Sequence, residues 1–243
     1  MGKESATRYR PPVDSLLTYG ESEQTIPEQW PEYRALGIKG EHIPDLIQMA
    51  TDEALIGAEV ESTEYWAPMH AWRALGQLRA VEAVEPLLGL FDKLDEEDWA
   101  PLESPAVFSL IGPAALPALA AYLADLSHTV SSRISASNSI EEIGEWWPEA
   151  REECIAILAE QLGRFEKSER EMNGYLVEAL VLLEAREVAP VIERAFEAGV
   201  VDWIEDWDEV QISLGLKPAK AKTAQKKAKS KRAKRPHKKN KKR

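Results

Sequence analysis

The sequence predicts an all-α protein, a stack of helix pairs of the α-solenoid kind, and three observations carry that prediction. Apolar residues recur at i, i+3, i+4 and i+7, the spacing of one helical face, rather than in the alternation of strands. The same face returns at positions 43, 84, 116, 154 and 188, intervals of 41, 32, 38 and 34 residues that average about 36 and fall in the range of paired-helix repeats. Pro44, Pro86, Pro117 and Pro190 open four of the five helices so defined, in a first turn where a fixed φ and a missing N–H are tolerated.

In chain order, residues 1–20 are interrupted by proline and weakly patterned, with Pro11 and Pro12 limiting helix before Val13, so they read as a flexible arm. The solenoid is expected over 21–216. Its start, Glu21 to Lys39, is polar and supplies a short capping helix around Glu32 to Leu36, with Gly37 and Gly40 as stop signals. Ile43, Leu46, Ile47 and Ala50 give the first clean stripe. The clearest unit is Ala71 to Leu94, where Ala71, Ala74, Leu75 and Leu78 form one stripe and Val84, Leu87, Leu88 and Phe91 another after a break near Arg79 and Ala80. Neither helix can bury its stripe alone, so the unit requires stacked neighbours.

Those neighbours are Leu116/Leu119/Ala120/Leu123, Cys154/Ile157/Leu158 and Val188/Val191/Ile192/Ala195, the middle copy imperfect because Gln161 stands where an apolar residue belongs. First helices precede them and end in Leu75–Gly76, Ile111–Gly112, Ile143–Gly144 and, without the glycine, Leu183–Glu184. Glycine there fits a helix C-terminus that needs φ above zero.

Ala71, Ala74, Leu75, Gly76, Ala83, Val84, Pro86, Leu87 and Leu88 resemble the short HEAT-like repeat of the family that includes the phycobilisome lyases, whose units read Ala, Leu-Gly, a small polar turn, then Ala-Val-x-Pro-Leu-Leu. The likeness covers about residues 40 to 200 and is weaker over Val107 to Leu123 and Leu176 to Phe196. It implies a right-handed stack of about five helix pairs, often used to bind other proteins and sometimes to handle a bilin. HEAT-like solenoids also include alkylpurine DNA glycosylases, similar in architecture and in richness of Trp and Asp. Those need a basic concave face, which an acidic body opposes.

The net charge of −12 hides a division. Of 30 basic residues, 15 lie in Lys217 to Arg243, which has no Asp or Glu; residues 1–216 hold the other 15 against all 42 acidic ones, a charge of −27 beside a tail of +15. Such asymmetry concerns partners rather than fold. The tail has no apolar side chain larger than alanine and proline, cannot bury a core, and is expected to be disordered over 217–243.

Lys226, Lys227, Lys229, Lys231, Arg232, Lys234 and Arg235 would neutralise phosphates, giving salt-sensitive and sequence-blind binding of RNA or DNA. The same run serves as a nuclear address if the host has a nucleus, and a fold-back of the tail onto the acidic body is a third use. No run approaches the roughly 18 apolar residues of a membrane span, the N-terminus lacks a signal peptide's apolar core, and Ala6 breaks the myristoylation motif after Met1–Gly2. A cytoplasmic protein without membrane contact is expected, which the single Cys154 fits.

No catalytic, cofactor or metal set is predicted. His42, His70, His128 and His237 have no second His or Cys at ligand spacing; His42 and His70 read as capping or solvated residues before helices. Cys154 lies on an apolar stripe and reads as a small buried hydrophobe. Ser127 to Ser139 reads as an inter-repeat turn with helix N-caps, since no nucleophile elbow or phosphate cradle accompanies it. Carboxylates crowd Asp92 to Asp98, Glu141 to Glu153 and Asp202 to Glu209, none in a calcium-loop pattern. On the two helix faces of Ala71 to Leu94 nothing reactive stands beyond Arg73, Gln77 and Arg79.

Trp30, Trp66, Trp99 and Trp147 each stand one or two residues before a proline at a helix boundary, while Trp203 and Trp207, four apart, are expected to share a helix face among Asp202 and Asp206. These rings either plug gaps between repeats or, with Trp66, Trp99, Trp147, Trp203, Trp207, Asp202 and Asp206 as contacts, form an acidic, aromatic ridge for a protein with a basic surface. The expected function is a non-enzymatic interaction scaffold with a nucleic-acid-binding tail. A bilin lyase-like enzyme is the alternative, and a DNA glycosylase ranks last.

Overall fold

Proline stands in the first turn of many of the helices of this chain, and the computed structural model, which describes residues 9–22, 26–94, 99–204 and 206–218, is helical in every regular element among them. The α-helices are α1 Ile43–Ala50, α2 Glu53–Ile56, α3 Ala67–Leu78, α4 Val84–Leu88, α5 Ala100–Ile111, α6 Leu116–Ala124, α7 Val130–Trp146, α8 Arg151–Leu162, α9 Arg170–Leu182, α10 Ala189–Glu197 and α11 Trp207–Ser213. Each helix of the repeating stripe is entered through a 3₁₀ turn: Gly40–His42 before α1, Val81–Ala83 before α4, Pro113–Ala115 before α6, Pro148–Ala150 before α8 and Arg186–Val188 before α10.

The helices form two rows. In one, α3 packs on α5, α5 on α7 and α7 on α9; in the other, α1, α4, α6, α8 and α10 follow one another. The rows meet where α7 touches α6 and α8 and where α9 touches α8. Between them Trp72 stacks on Phe91 with centroids 6.3 Å apart and meets the edge of Trp99 at 5.6 Å, and Phe91 contacts Phe108 and Tyr122. Among the described residues no single helix is long and apolar enough to cross a membrane; the pair Ala100–Ile111 and Pro113–Ala124 passes on composition but turns by 113° at Gly112.

The structure corrects three local expectations. Of residues 1–20, those described are packed rather than free: Tyr9, Val13, Leu16 and Leu17 are buried, the turn Val13–Thr18 rests on α3, and the Tyr9 hydroxyl donates to Asp52 Oδ2 at 2.5 Å. Three well-spaced apolar side chains give a short helical turn a face to bury, which the prolines obscure in the sequence.

Of the serine-rich stretch only Ser127 to Thr129 form the expected turn and N-cap; the rest is helix. Thr129 accepts from the Ser132 N–H as an N-cap, and Val130 onward forms the 17-residue α7. Two of its buried serines bond their own helix, Ser139 to the Ser135 carbonyl at 2.8 Å and Ser135 to that of Ser131 at 3.3 Å, so small polar residues fit a helix enclosed by α5, α6, α8 and α9.

The glycines divide. Gly112 does end its helix, at φ +92°. Gly76 and Gly144 lie inside α3 and α7; a Cβ on Gly144 would meet Leu183 Cδ2 at 2.8 Å and Cys154 Cβ at 3.1 Å, so glycine serves close approach there. The left-handed positions after α3 and α9 belong to Arg79 and Glu184, at φ +55° and +53°.

Candidate interaction surface

A buried ionic network lies at the N-terminal end of the first row. His70, expected before a helix, stands inside α3 at 1% exposure, and Arg73 one turn further on is fully buried. Arg73 grips Glu103 of α5 with two donors, Nε to Oε2 at 2.8 Å and Nη2 to Oε1 at 2.6 Å, while Nη1 donates to Ser22 Oγ and the guanidinium lies 4.9 Å from the centre of the Trp30 ring. A charge without water demands such a set of partners.

His70 Nε2 faces the Gly20 carbonyl at 2.8 Å, an acceptor only, so Nε2 carries the proton and Nδ1 accepts from the Tyr33 hydroxyl at 2.6 Å. Burial pushes the imidazole down to about 4, with the Arg73 charge acting the same way and the Gly20 bond opposing it. Burial also raises Tyr33 above its ordinary value, and raises Glu103 despite the Arg73 hydrogen bonds and charge. No solute reaches these four groups without unpacking the N-terminal segment, so the network ties that segment to α3 and α5.

Gln77 of α3 and Arg79 just after it do similar work. Gln77 receives the Tyr33 N–H and donates to the Pro31 carbonyl, and Arg79 lies 5.0 Å from the Trp147 ring centre. Cys154 is fully buried, and burial above all, with the Glu153 charge, pushes its thiol up to about 12, which removes it as a nucleophile near neutral pH.

His42 fits its expected capping place, accepting from the Lys39 N–H through Nδ1. His128 stacks on Tyr122 with centroids 3.7 Å apart and shares a 2.7 Å bond with Asp92, tying the end of α4 to the start of α7. Burial works against ionisation of Asp92, but bonds from His128, Ser132 and Thr129 outweigh it and hold the carboxyl below the usual range. On the last turns of α7 the carboxylates of Glu141, Glu142 and Glu145 lie within 4.8 Å of one another.

The expected contact residues do not form one ridge. Trp99 is only 7% exposed and belongs to the core. Trp66, at the entry to α3, is partly buried against Tyr65. Trp147, at the exit of α7, donates from Nε1 to the Ser109 carbonyl at 2.8 Å and lies on Gly112, so it seals the gap to α5. Trp207 opens α11, packs near Phe196 and donates to Glu193. Asp206 N-caps that helix through the Glu209 N–H, and Asp202 pairs with Arg170 at 3.3 Å.

Trp203 precedes α11, so it shares no helix face with Trp207. Its backbone is left-handed, φ +51°, and the residue is 46% exposed. The ring rests on Gly174, where a Cβ would come within 2.6 Å of Nε1, and meets Tyr175 at 5.3 Å.

Tyr175 in turn lines a groove of about 500 Å³ at the starts of α5, α7 and α9, with Pro101, Leu102, Val130, Ile134 and Glu171. Gly174 and Tyr175, which position this edge, carry no pattern in the sequence; the signal was an unexplained glycine within an otherwise regular helix. The expected tail contacts Lys226 through Arg235 lie outside the described residues. No family model, curated relative or solved structure matches this chain.

Proposed function

We propose that the chain is a non-enzymatic interaction scaffold: a right-handed HEAT-like α-solenoid whose acidic body docks a protein with a basic surface, and whose basic tail binds nucleic acid. The observation that carries this reading is the division of charge, −27 on residues 1–216 against +15 on the rest. Fields of that size steer partners of opposite sign and govern association. Support comes from the fate of the reactive groups, since His70, Tyr33, Arg73, Glu103 and Cys154 are buried and those of the ionic network are engaged with one another. The two-row packing and the recurring 3₁₀ entry support the solenoid.

Affinity capture with the full chain and with a chain ending at Pro218, each at low and high salt, tests both halves. The full chain should retain RNA or DNA at low salt and lose it at high salt, and the shortened chain should retain none while keeping its protein partner. Equal nucleic-acid retention by the two chains removes the tail's role. A spectral change on adding a bilin would replace the scaffold by the lyase-like reading that the repeat's resemblance implies.

A further inference from the structure

We propose that the groove at the starts of α5, α7 and α9, together with Trp203, is the seat of the chain's own basic segment, residues 219–243. The groove sets apolar side chains, Leu102 and Val130 among them, beside the polar Thr129, Ser131, Ser135 and Asn138, and Glu171 is the one carboxylate in its lining. Leu102 is 52% exposed, and Val130 and Tyr175 are partly so. Glu171 is exposed and pairs with no cation among the described residues. A lysine or arginine matches that combination: its methylene stem covers Leu102 and Val130 while its charged end meets Glu171.

Trp203 adds a face for a cation. A bulky residue in the left-handed region is strained, and such strain persists only where the surroundings impose it. Here Gly174 leaves the space and Tyr175 the edge contact that hold the indole beside the groove, and the residue stays nearly half exposed. An ammonium or guanidinium over an exposed indole is attracted by the ring quadrupole.

The chain supplies such a ligand at high local concentration. The segment after Pro218 is 25 residues long, with Lys and Arg throughout and no acid. At about 3.3 Å per residue it reaches up to about 80 Å, several times the roughly 10 Å between packed helices. Tethering raises its concentration at the body to about the millimolar range, which favours it over a basic peptide from another protein. The contact goes beyond the scaffold reading and does not require it. If both hold, nucleic acid on the tail frees the groove, and a basic partner in the groove frees the tail, with equal coupling in each direction.

Paramagnetic relaxation in the full chain tests the seat. A nitroxide attached through Ser230→Cys marks the segment, and buried Cys154 stays unlabelled. Amide signals of Leu102, Val130 and Glu171 to Tyr175 and the Trp203 indole N–H should broaden at low salt and recover at about 0.5 M salt, where exposed charges are screened. Trp203→Ala and Glu171→Gln should each lower the broadening at least about twofold with helicity unchanged. Glu171 is exposed, so its variant reads the contact even if loss of the indole disturbs the fold.

No broadening, or broadening centred instead on Glu141 to Glu145, overturns the proposal. So does broadening in a mixture of labelled and isotope-marked chains, which assigns the contact to a second copy. Unchanged broadening in both variants also overturns it. None of these results alters the capture experiment, so the two readings fail separately.

Discussion

Replacing Glu103 by glutamine should unfold this protein more readily than any surface change, because it strands the Arg73 guanidinium in the core. The substitution preserves shape, so packing terms stay small and the loss is electrostatic. Arg73 has no exposed side-chain surface and Glu103 only 4%, with donor distances of 2.8 and 2.6 Å. At an effective dielectric of about 20, unit charges about 4 Å apart attract by about 4 kcal/mol. Breaking one side of a buried pair costs about 3–5 kcal/mol by experience with other proteins.

For a chain of this size each kcal/mol moves the midpoint of thermal unfolding by roughly 2–4 °C, so a fall of roughly 6–20 °C is expected. Urea titrations followed by circular dichroism supply the free energy, and the double variant Arg73→Met with Glu103→Leu supplies the control. Removing both charges should recover most of the loss, since a buried pair is about as stable as an apolar replacement. A loss below about 1 kcal/mol for Glu103→Gln, or a double variant no better than the single one, would refute the claim that a desolvated ion pair joins α3 to α5.

Two further predictions follow from buried titratable groups. The His70 imidazole falls to about 4 in the folded chain and stands near 6.5 when unfolded. The unfolded chain therefore binds a proton that the folded one refuses between about pH 6.5 and 4, and stability declines as pH falls through that window, by up to about 3 kcal/mol. Urea midpoints at neutral and mildly acidic pH should converge for the wild type and His70→Gln as the pH drops, and a constant difference would contradict this. Cys154, with its thiol pushed up to about 12 and no exposed surface, should react with a disulfide reagent at pH 8 only as fast as the protein opens, and at once in urea. Prompt reaction of the native chain would refute its burial.

Much of the fold was legible because burial writes itself as period. The five stripes at 43, 84, 116, 154 and 188 correspond to α1, α4, α6, α8 and α10, each beginning within three residues of its stripe. The glycines were legible as special but not as to kind. Gly112 and Gly144 follow isoleucines alike, yet one ends a helix and the other lets α7 approach Cys154 and Leu183. Sequence spacing does not say which neighbour lies across the gap.

The serine-rich start of α7 misled for a related reason. Serine prefers turns when exposed, but in an enclosed helix its hydroxyl bonds the carbonyl one turn back. Glu103 carried a signal that could have been followed: a single charge within the apolar run Ala100–Ile111 requires a buried partner.

The sequence by itself determined the five striped helices and the separation of acidic body from basic tail, because period, proline and charge are properties of local residue order. Only the tertiary structure decided that Arg73 meets Glu103, that Trp99 and Trp147 fill gaps, and that Trp203 stands open beside Tyr175. Those outcomes depend on which side chains converge from segments far apart in the chain. A tryptophan's role is set by the space left around it, and that space exists only once the rows have packed.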